Sequence, residues 1–143
     1  MAAITRRALL SMLGLATVAT AAGTTLAQAV SPARERGLLR LRGVVRYAAN
    51  GPLPVGVLTI RLEEQGVMDK AARQIASARV RSDGRRRTVP FEMNVPRAAL
   101  ARAADPGFTV RLERNGRLTA INTSKQRYRG GRTATLTIEP ILY

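Results

Sequence analysis

The stretch FTVRLERNGRLTAINTS, residues 108–124, alternates apolar and polar side chains on both sides of an Asn-Gly pair. Phe108, Val110 and Leu112 would share one face of a strand, because successive side chains in a strand point to opposite faces. Asn115-Gly116 is a dipeptide that two-residue hairpin turns prefer, since both central positions of such a turn take positive φ. The stretch therefore predicts a β-hairpin.

The same alternation continues on either side of the hairpin, in segments at residues 39–47, 58–63, 76–81, 89–95 and 133–139. One helix is predicted at 96–104, because this segment begins with a proline and is rich in alanine. Pro90 has no amide hydrogen to donate, so its strand should lie at a sheet edge or start at a bulge. The pattern predicts an all-β fold, a compact antiparallel β-sandwich or small barrel of about seven strands with one short helix.

Residues 1–29 have the layout of a secretory signal. Arg6 and Arg7 precede an apolar centre, and Ala27-Gln28-Ala29 supplies an A-x-A cleavage motif at Ala27 and Ala29. The start also resembles the twin-arginine export signal, while an ordinary signal can carry two arginines, so both routes stay open. Polar residues in the apolar centre favour a cleaved signal over an uncleaved anchor.

This layout divides the chain into a signal peptide at 1–29, a linker at 30–37 and a β-domain at 38–143. We expect the mature protein to be periplasmic or secreted, with no transmembrane segment after cleavage.

The composition excludes several enzyme classes. The chain carries 24 Lys and Arg against 9 Asp and Glu, a formal charge of +15, and contains no Cys and no His. Disulfides, thiol nucleophiles and Cys or His metal ligands are therefore excluded, together with the commonest general base. Glu63-Glu64 is a carboxylate pair, but neighbouring strand residues point to opposite faces and cannot converge on one substrate without a bulge. The sequence predicts a protein that is not an enzyme, with no cofactor and no metal.

Arginines form the candidate binding surface. Those on predicted strands, opposite the apolar residues, are Arg40, Arg42, Arg46, Arg61, Arg79, Arg81 and Arg111, and those in one loop are Arg85, Arg86 and Arg87. If their strands are neighbours, they could bind an anionic envelope polymer or lipid head groups. A solvated face that keeps the protein soluble is the competing interpretation.

The run RYRGGR, residues 127–132, has the arginine, aromatic and glycine texture of nucleic-acid-binding segments. A hinge between two strands explains its paired glycines equally well. Nucleic acid is not an expected partner of an exported protein.

Several segments share their order and spacing with a known family: GVVRY (43–47), LPVGVLTIRL (53–62), Ile75-Ala76, VPFEM (89–93), FTVRL (108–112) and NGRL (115–118). Together they resemble the YbaY and type III secretion pilotin (YscW) family of small bacterial envelope proteins. The resemblance implies a β-sandwich in the envelope, no catalysis and, in the pilotin members, a role in escorting an outer-membrane secretin. Those relatives are commonly anchored through a lipidated cysteine, and this chain has no cysteine. The matched positions are structural, so the resemblance implies no site residues.

We therefore expect an exported, non-catalytic envelope protein with a binding, accessory or chaperone-like role. Its partner would be an unknown envelope protein or, in the alternative, an anionic polymer or lipid bound electrostatically by the arginines. An open groove or exposed strand edge would favour the escort role, because an extended peptide can add a strand to such an edge.

Overall fold

A computed structural model describes residues 37–66 and 71–143 of the chain. The expected signal peptide, with Arg6, Arg7, Ala27 and Ala29, lies outside the described residues, as does the expected linker apart from its last residue. The predictions about export therefore stay predictions.

The described ranges form eight strands and one helix, most of them where the alternation predicts. Their bounds are β1 Leu38–Tyr47, β2 Gly56–Glu64, β3 Gln74–Ser82, β4 Thr88–Pro96, α1 Arg97–Ala101, β5 Pro106–Arg114, β6 Arg117–Ile121, β7 Gln126–Arg127 and β8 Thr133–Pro140.

The strands join in the order β3-β2-β5-β6-β8-β1-β4, with β7 paired to β5. Neighbours are antiparallel except β1 and β8, which run parallel from the pair Arg42 and Thr133 to the pair Tyr47 and Ile138. The two end strands, β3 and β4, come within 8 Å of each other between Cα atoms, and the sheet curls into a nearly closed, barrel-like form. The predicted all-β class with one short helix is confirmed, and the parallel pair is an addition to it.

The inward residues of each strand meet inside the curled sheet. Leu41, Val45, Leu58, Ile60 and Leu112 are fully buried. Burying one such side chain stabilises the fold by about 1.5–3 kcal/mol. The alternation of period two thus generates the core directly, since it turns every second side chain of each strand toward the same interior.

Pro90 lies on an edge strand, as predicted, because β4 ends the order of the sheet. Tyr47 N donates to Arg87 O at 3.0 Å and Arg97 N donates to Gly37 O at 2.9 Å. Backbone groups alternate in direction along a strand, so the odd-numbered residues of β4 bond to β1 and the even-numbered ones face outward. The nitrogen of Pro90 therefore faces the open edge, where no hydrogen bond is lost.

The helix and the return arm of the hairpin are both shorter than predicted. α1 ends at Ala101 and β6 ends at Ile121, instead of residues 104 and 124. Side chains take over backbone groups at both ends: Glu64 accepts from Ala104 N after α1, and Asn122 binds β5 after β6. Within 37–66 and 71–143, none of the helical structure is both long and apolar enough to cross a membrane.

Candidate functional site

The arginines of β1 lie on the outer face of the β8-β1-β4 part of the sheet. Arg40 and Arg42 are exposed and share one partner, Glu92 of β4, at 3.1 and 3.0 Å from their Nε atoms. Arg46 is exposed in the same row and lies opposite Thr88 of β4 and Thr137 of β8. This row therefore presents a basic surface that Glu92 partly neutralises.

The arginines of β2, β3 and β5 form a second surface. Thr59 of β2 lies between Arg79 of β3 and Arg111 of β5, and Arg61 and Arg81 are exposed in neighbouring rows. Arg111 pairs with Glu113 at 3.4 Å, and Arg61 lies 3.9 Å from Glu63. β6 and β8 lie between β5 and β1 in the strand order, whereas on the other side β3 comes close to β4, so the two groups of arginines approach each other across the β3–β4 edge.

Arg85, Arg86 and Arg87 follow the turn between β3 and β4, and all three are exposed. Asp83 Oδ1 accepts from Arg85 N at 2.9 Å, and Arg86 O accepts from Leu53 N at 2.8 Å. The backbone of this loop is held in place by these hydrogen bonds, and the guanidinium group of Arg87 donates to Ala49 O at 3.3 Å.

The carboxylates of Glu63 and Glu64 serve different structural purposes. Glu63 Oε2 accepts from the Thr109 hydroxyl at 3.3 Å. Glu64 is 8% exposed, and its two oxygens accept from Ala104 N at 2.8 Å and Asp105 N at 2.7 Å. Among the described residues, no group of three or more Asp or Glu side chains is placed to hold a metal ion. The two carboxylates therefore have separate partners, and Glu64 holds the turn between α1 and β5 against the end of β2.

Between β5 and β8, side-chain amides replace part of the backbone ladder. Asn122 Oδ1 accepts from Val110 N at 2.8 Å, and its Nδ2 donates to Phe108 O at 2.8 Å. Gln126 does the same for β8: its Oε1 accepts from Thr137 N at 2.9 Å and its Nε2 donates to Thr137 O at 2.6 Å. Each amide presents the donor and acceptor that a neighbouring strand would offer.

On the N-terminal side of Thr137, which Gln126 binds, β8 has a free backbone edge. Arg42 N donates to Arg132 O and Ala48 N donates to Ile138 O, both at 2.9 Å, so the even-numbered residues of β8 face β1. Thr133 and Thr135 therefore direct their N–H and C=O groups to the other side. Within the described part of the chain, no hydrogen bond from the segment opposite reaches them.

A cleft opens along this free edge. It consists of two adjoining hollows, of about 240 Å³ and about 410 Å³, with Tyr128 in the wall of both. We call it the Tyr128 cleft. It is lined by Leu39, Arg97, Leu100, Ala101, Phe108 and residues 126–136. Every charged side chain among these residues is an arginine.

Tyr128 divides the cleft and is held at three points. Its N donates to Pro106 O at 2.9 Å, its hydroxyl donates to Gly131 O at 2.7 Å, and its ring meets Phe108 edge to face at 6.2 Å. Gly130 and Gly131 follow with φ of +90° and +85°, which glycine adopts without strain. The predicted hinge between two strands is the segment that forms this wall.

Asp105 anchors the β7 side of the cleft. Its carboxylate binds Lys125 Nζ and lies 3.3 Å from Arg127 Nε. The hydrogen bond from Lys125 lowers the pKa of Asp105 below its ordinary value, and the charges of Arg127 and Lys125 add to this against partial desolvation. An ionised carboxylate thus fixes Arg127 of the wall, together with Lys125 next to the cleft, at neutral pH.

The sequence indicates the arginines but not the cleft. Asn122, Gln126 and Tyr128 lie where the alternation stops, so periodicity assigns them no partner. The signals available are amide side chains directly after a strand and the paired glycines at 130–131.

One comparison with known proteins identifies the family of the chain. A protein-family model described as "Type III secretion system lipoprotein chaperone (YscW)" matches residues 37–138 of the chain. The chain is also similar to a solved structure, "an alternative pilotin from the type II secretion system of Vibrio cholerae". The TM-score is 0.66 at 17% identity, over 74% of this chain and 99% of that one. At this identity the likeness shows the fold alone. No curated protein matches the sequence.

Proposed function

The chain belongs to the YscW family of type III secretion system lipoprotein chaperones, and from this we propose that it is a non-catalytic accessory protein of the bacterial envelope. In this role it binds an envelope protein in a chaperone-like manner. The observation that supports the proposal most directly is the Tyr128 cleft, an apolar and basic recess beside a free strand edge. Such edges accept extended peptides from partner proteins.

A non-catalytic role agrees with the state of the carboxylates. Glu64 is bound by two backbone amides, Glu92 by two arginines, and Asp105 by Lys125 and Arg127. A general base has to reach a substrate proton with a free lone pair. These side chains instead hold neighbouring elements together.

Export belongs to the same proposal. Residues 1–29 would direct the protein out of the cytoplasm, with Arg6 and Arg7 as the recognition pair and cleavage after Ala29. Residues 1–35 can be fused to a reporter that is active only after export in the folded state. The twin-arginine route predicts activity that is lost when both arginines become lysine, and unchanged activity in that variant would contradict it.

The binding role is tested in the cells that produce the protein. We expect the tagged full chain, cross-linked and purified at moderate salt, to recover an envelope protein that a charge-matched basic protein does not. We also expect the level of that protein to fall when this chain is deleted, as for the client of a chaperone. Recovery no greater than the charge-matched control, with an unchanged envelope proteome in the deletion strain, would contradict the proposal.

The alternative, electrostatic binding of an anionic polymer or lipid, has one observation in its favour. Arg79, Arg81 and the loop 85–87 lie together, and no carboxylate of the described ranges is within 4.0 Å of their guanidinium groups. Binding to anionic vesicles through these groups should weaken steeply with salt, because the Debye length falls from about 10 Å at 0.1 M to about 3 Å at 1 M. Vesicle binding that does not respond to salt would exclude this alternative.

A further inference from the structure

The free edge of β8 is the one part of the Tyr128 cleft that offers repeated backbone hydrogen bonds. Thr133 and Thr135 point their N–H and C=O groups into the hollow of about 240 Å³, opposite the segment 128–130. Residues two apart in a strand lie about 6.6 Å apart, which is also the repeat of an incoming strand. The edge is therefore complementary to extended peptide backbone.

The side chains around this edge define the chemistry of such a peptide. Arg129 and Arg132 are exposed at the wall, and Arg97 lies at the far end, at the start of α1. Since the residues that line the cleft include no carboxylate, their charge is offered to whatever enters. Phe108 and Leu136 supply apolar surface in the hollow that the β8 edge faces, and Leu39 and Leu100 do so in the adjoining hollow. A segment that alternates acidic and apolar residues meets both requirements.

The two end strands of the sheet are poorer docking edges. β4 carries Pro90 on its outward side, which removes one donor from that edge. β3 has Arg79 and Arg81 at its edge positions, and charged side chains oppose strand addition at an open edge. β8 carries threonine at its free positions, which strands accommodate well.

We propose that an extended, acidic and apolar segment of a partner protein pairs with the β8 edge at Thr133 and Thr135, inside the Tyr128 cleft. This rests on the proposed function and names the surface that performs it. Gly130 and Gly131 allow the wall to move outward as the segment enters, because their backbone is not restricted by a side chain.

Synthetic peptides of alternating glutamate and valine test the backbone pairing directly on the intact protein. We expect backbone amide shifts and slower hydrogen exchange at residues 133–136, and a weaker response to a lysine and valine peptide. Two further peptides carry N-methyl groups, one on its odd-numbered backbone amides and the other on its even-numbered ones. Strand pairing predicts that one of them loses binding by about tenfold or more, whereas simple charge attraction predicts that both bind as before.

Variants of the protein locate the contact. Thr135→Pro removes an N–H that does not bond to β1, and Asn94→Pro removes the equivalent outward N–H of β4. We expect only Thr135→Pro to weaken the peptide, by about tenfold. Charge reversal of Arg129 and Arg132 should also weaken it, while reversal of Arg85 and Arg86 should not. If Thr135→Pro does not fold, the N-methyl peptides still test strand pairing with the unchanged protein.

The outcomes separate this inference from the proposed function. Equal binding of both N-methyl peptides, or protection at β3 or β4 in place of β8, would overturn strand addition in the cleft. If the Thr135→Pro chain folds and still captures the cellular partner in full, the accessory role stands and the β8 assignment is wrong. If peptide pairing is found but no cellular partner is recovered, the proposed function fails on its own test.

Discussion

Glu64 should contribute far more to stability than its neighbour Glu63, although the two are adjacent carboxylates on one strand. Glu64→Gln keeps one acceptor oxygen and replaces the other with an NH₂ group that faces a backbone N–H. One of the two amide bonds, to Ala104 N at 2.8 Å or Asp105 N at 2.7 Å, is then lost. Hydrogen bonds to charged groups contribute about 1.5–3 kcal/mol, so we expect a loss of about 2–3 kcal/mol in the free energy of unfolding.

Glu63→Gln is the matched control. Glu63 accepts from the Thr109 hydroxyl at 3.3 Å and lies 3.9 Å from Arg61, whose side chain is 44% exposed. Exposed pairs of this kind contribute about 0–1 kcal/mol. The two variants therefore carry the same change of charge but should differ in their free energy of unfolding by about 1–3 kcal/mol.

Urea unfolding at neutral pH measures this difference, and amide exchange gives its location. We expect the midpoint to fall for Glu64→Gln with little change in the slope of free energy against urea. Exchange at Ala104 and Asp105 should accelerate in this variant and not in the control. Unfolding free energies that agree within about 0.5 kcal/mol would refute the assignment of Glu64 as the link between β2 and the turn that precedes β5.

Three other predictions follow from the contacts described. Nδ2 of Asn122 donates to Phe108 O at 2.8 Å, so Asn122→Asp would place an oxygen against this carbonyl. We expect this change to lower the free energy of unfolding by about 2–3 kcal/mol. Asn94→Asp, at an exposed position, should lower it by less than about 0.5 kcal/mol. Gly43→Ala would bring Cβ into overlap with Ala134 O and the Phe91 ring, so its calorimetric Tm should fall, in keeping with about 1–3 kcal/mol of overpacking. Lys125→Met should raise the pKa of Asp105 in a carboxyl NMR titration, since Lys125 is the main cause of its lowering. Because the pKa of Asp105 is lowered in the folded state, the stability that this carboxylate contributes is present above its ordinary pKa and is lost as the pH falls through the lowered pKa.

The positions of the core residues could be predicted from the sequence because side-chain direction depends only on parity along a strand. The same reasoning predicts which arginines are exposed. It does not predict which strands are neighbours, and the parallel pairing of β1 with β8 comes from contacts between the two ends of the domain. For this reason the sequence predicts that Arg42 and Arg111 face outward, whereas only the folded sheet shows that their strands, β1 and β5, are not neighbours.

The cleft could not be predicted because it arises where regular structure stops. Asn122 and Gln126 act through single hydrogen-bonding side chains, and nothing in their local sequence distinguishes them from ordinary loop amides. Their partners, Val110 and Thr137, lie on strands whose approach depends on the closure of the whole sheet. Pro90 is the opposite case: its missing donor is a local property, so its edge position could be predicted.

Stability and the proposed binding should be separable in this fold, because they involve different groups of one seam. Asn122 and Gln126 satisfy the backbone of β5 and β8 with side chains, and this holds the sheet together across the gap. A continuous strand in their place would also cover Thr133 and Thr135 and leave no edge for a partner. Substitution of Asn122 should therefore lower stability first, whereas Thr135→Pro should affect binding while the β1–β8 ladder stays intact. Equal effects of both substitutions on both properties would mean that the seam and the edge form one cooperative unit.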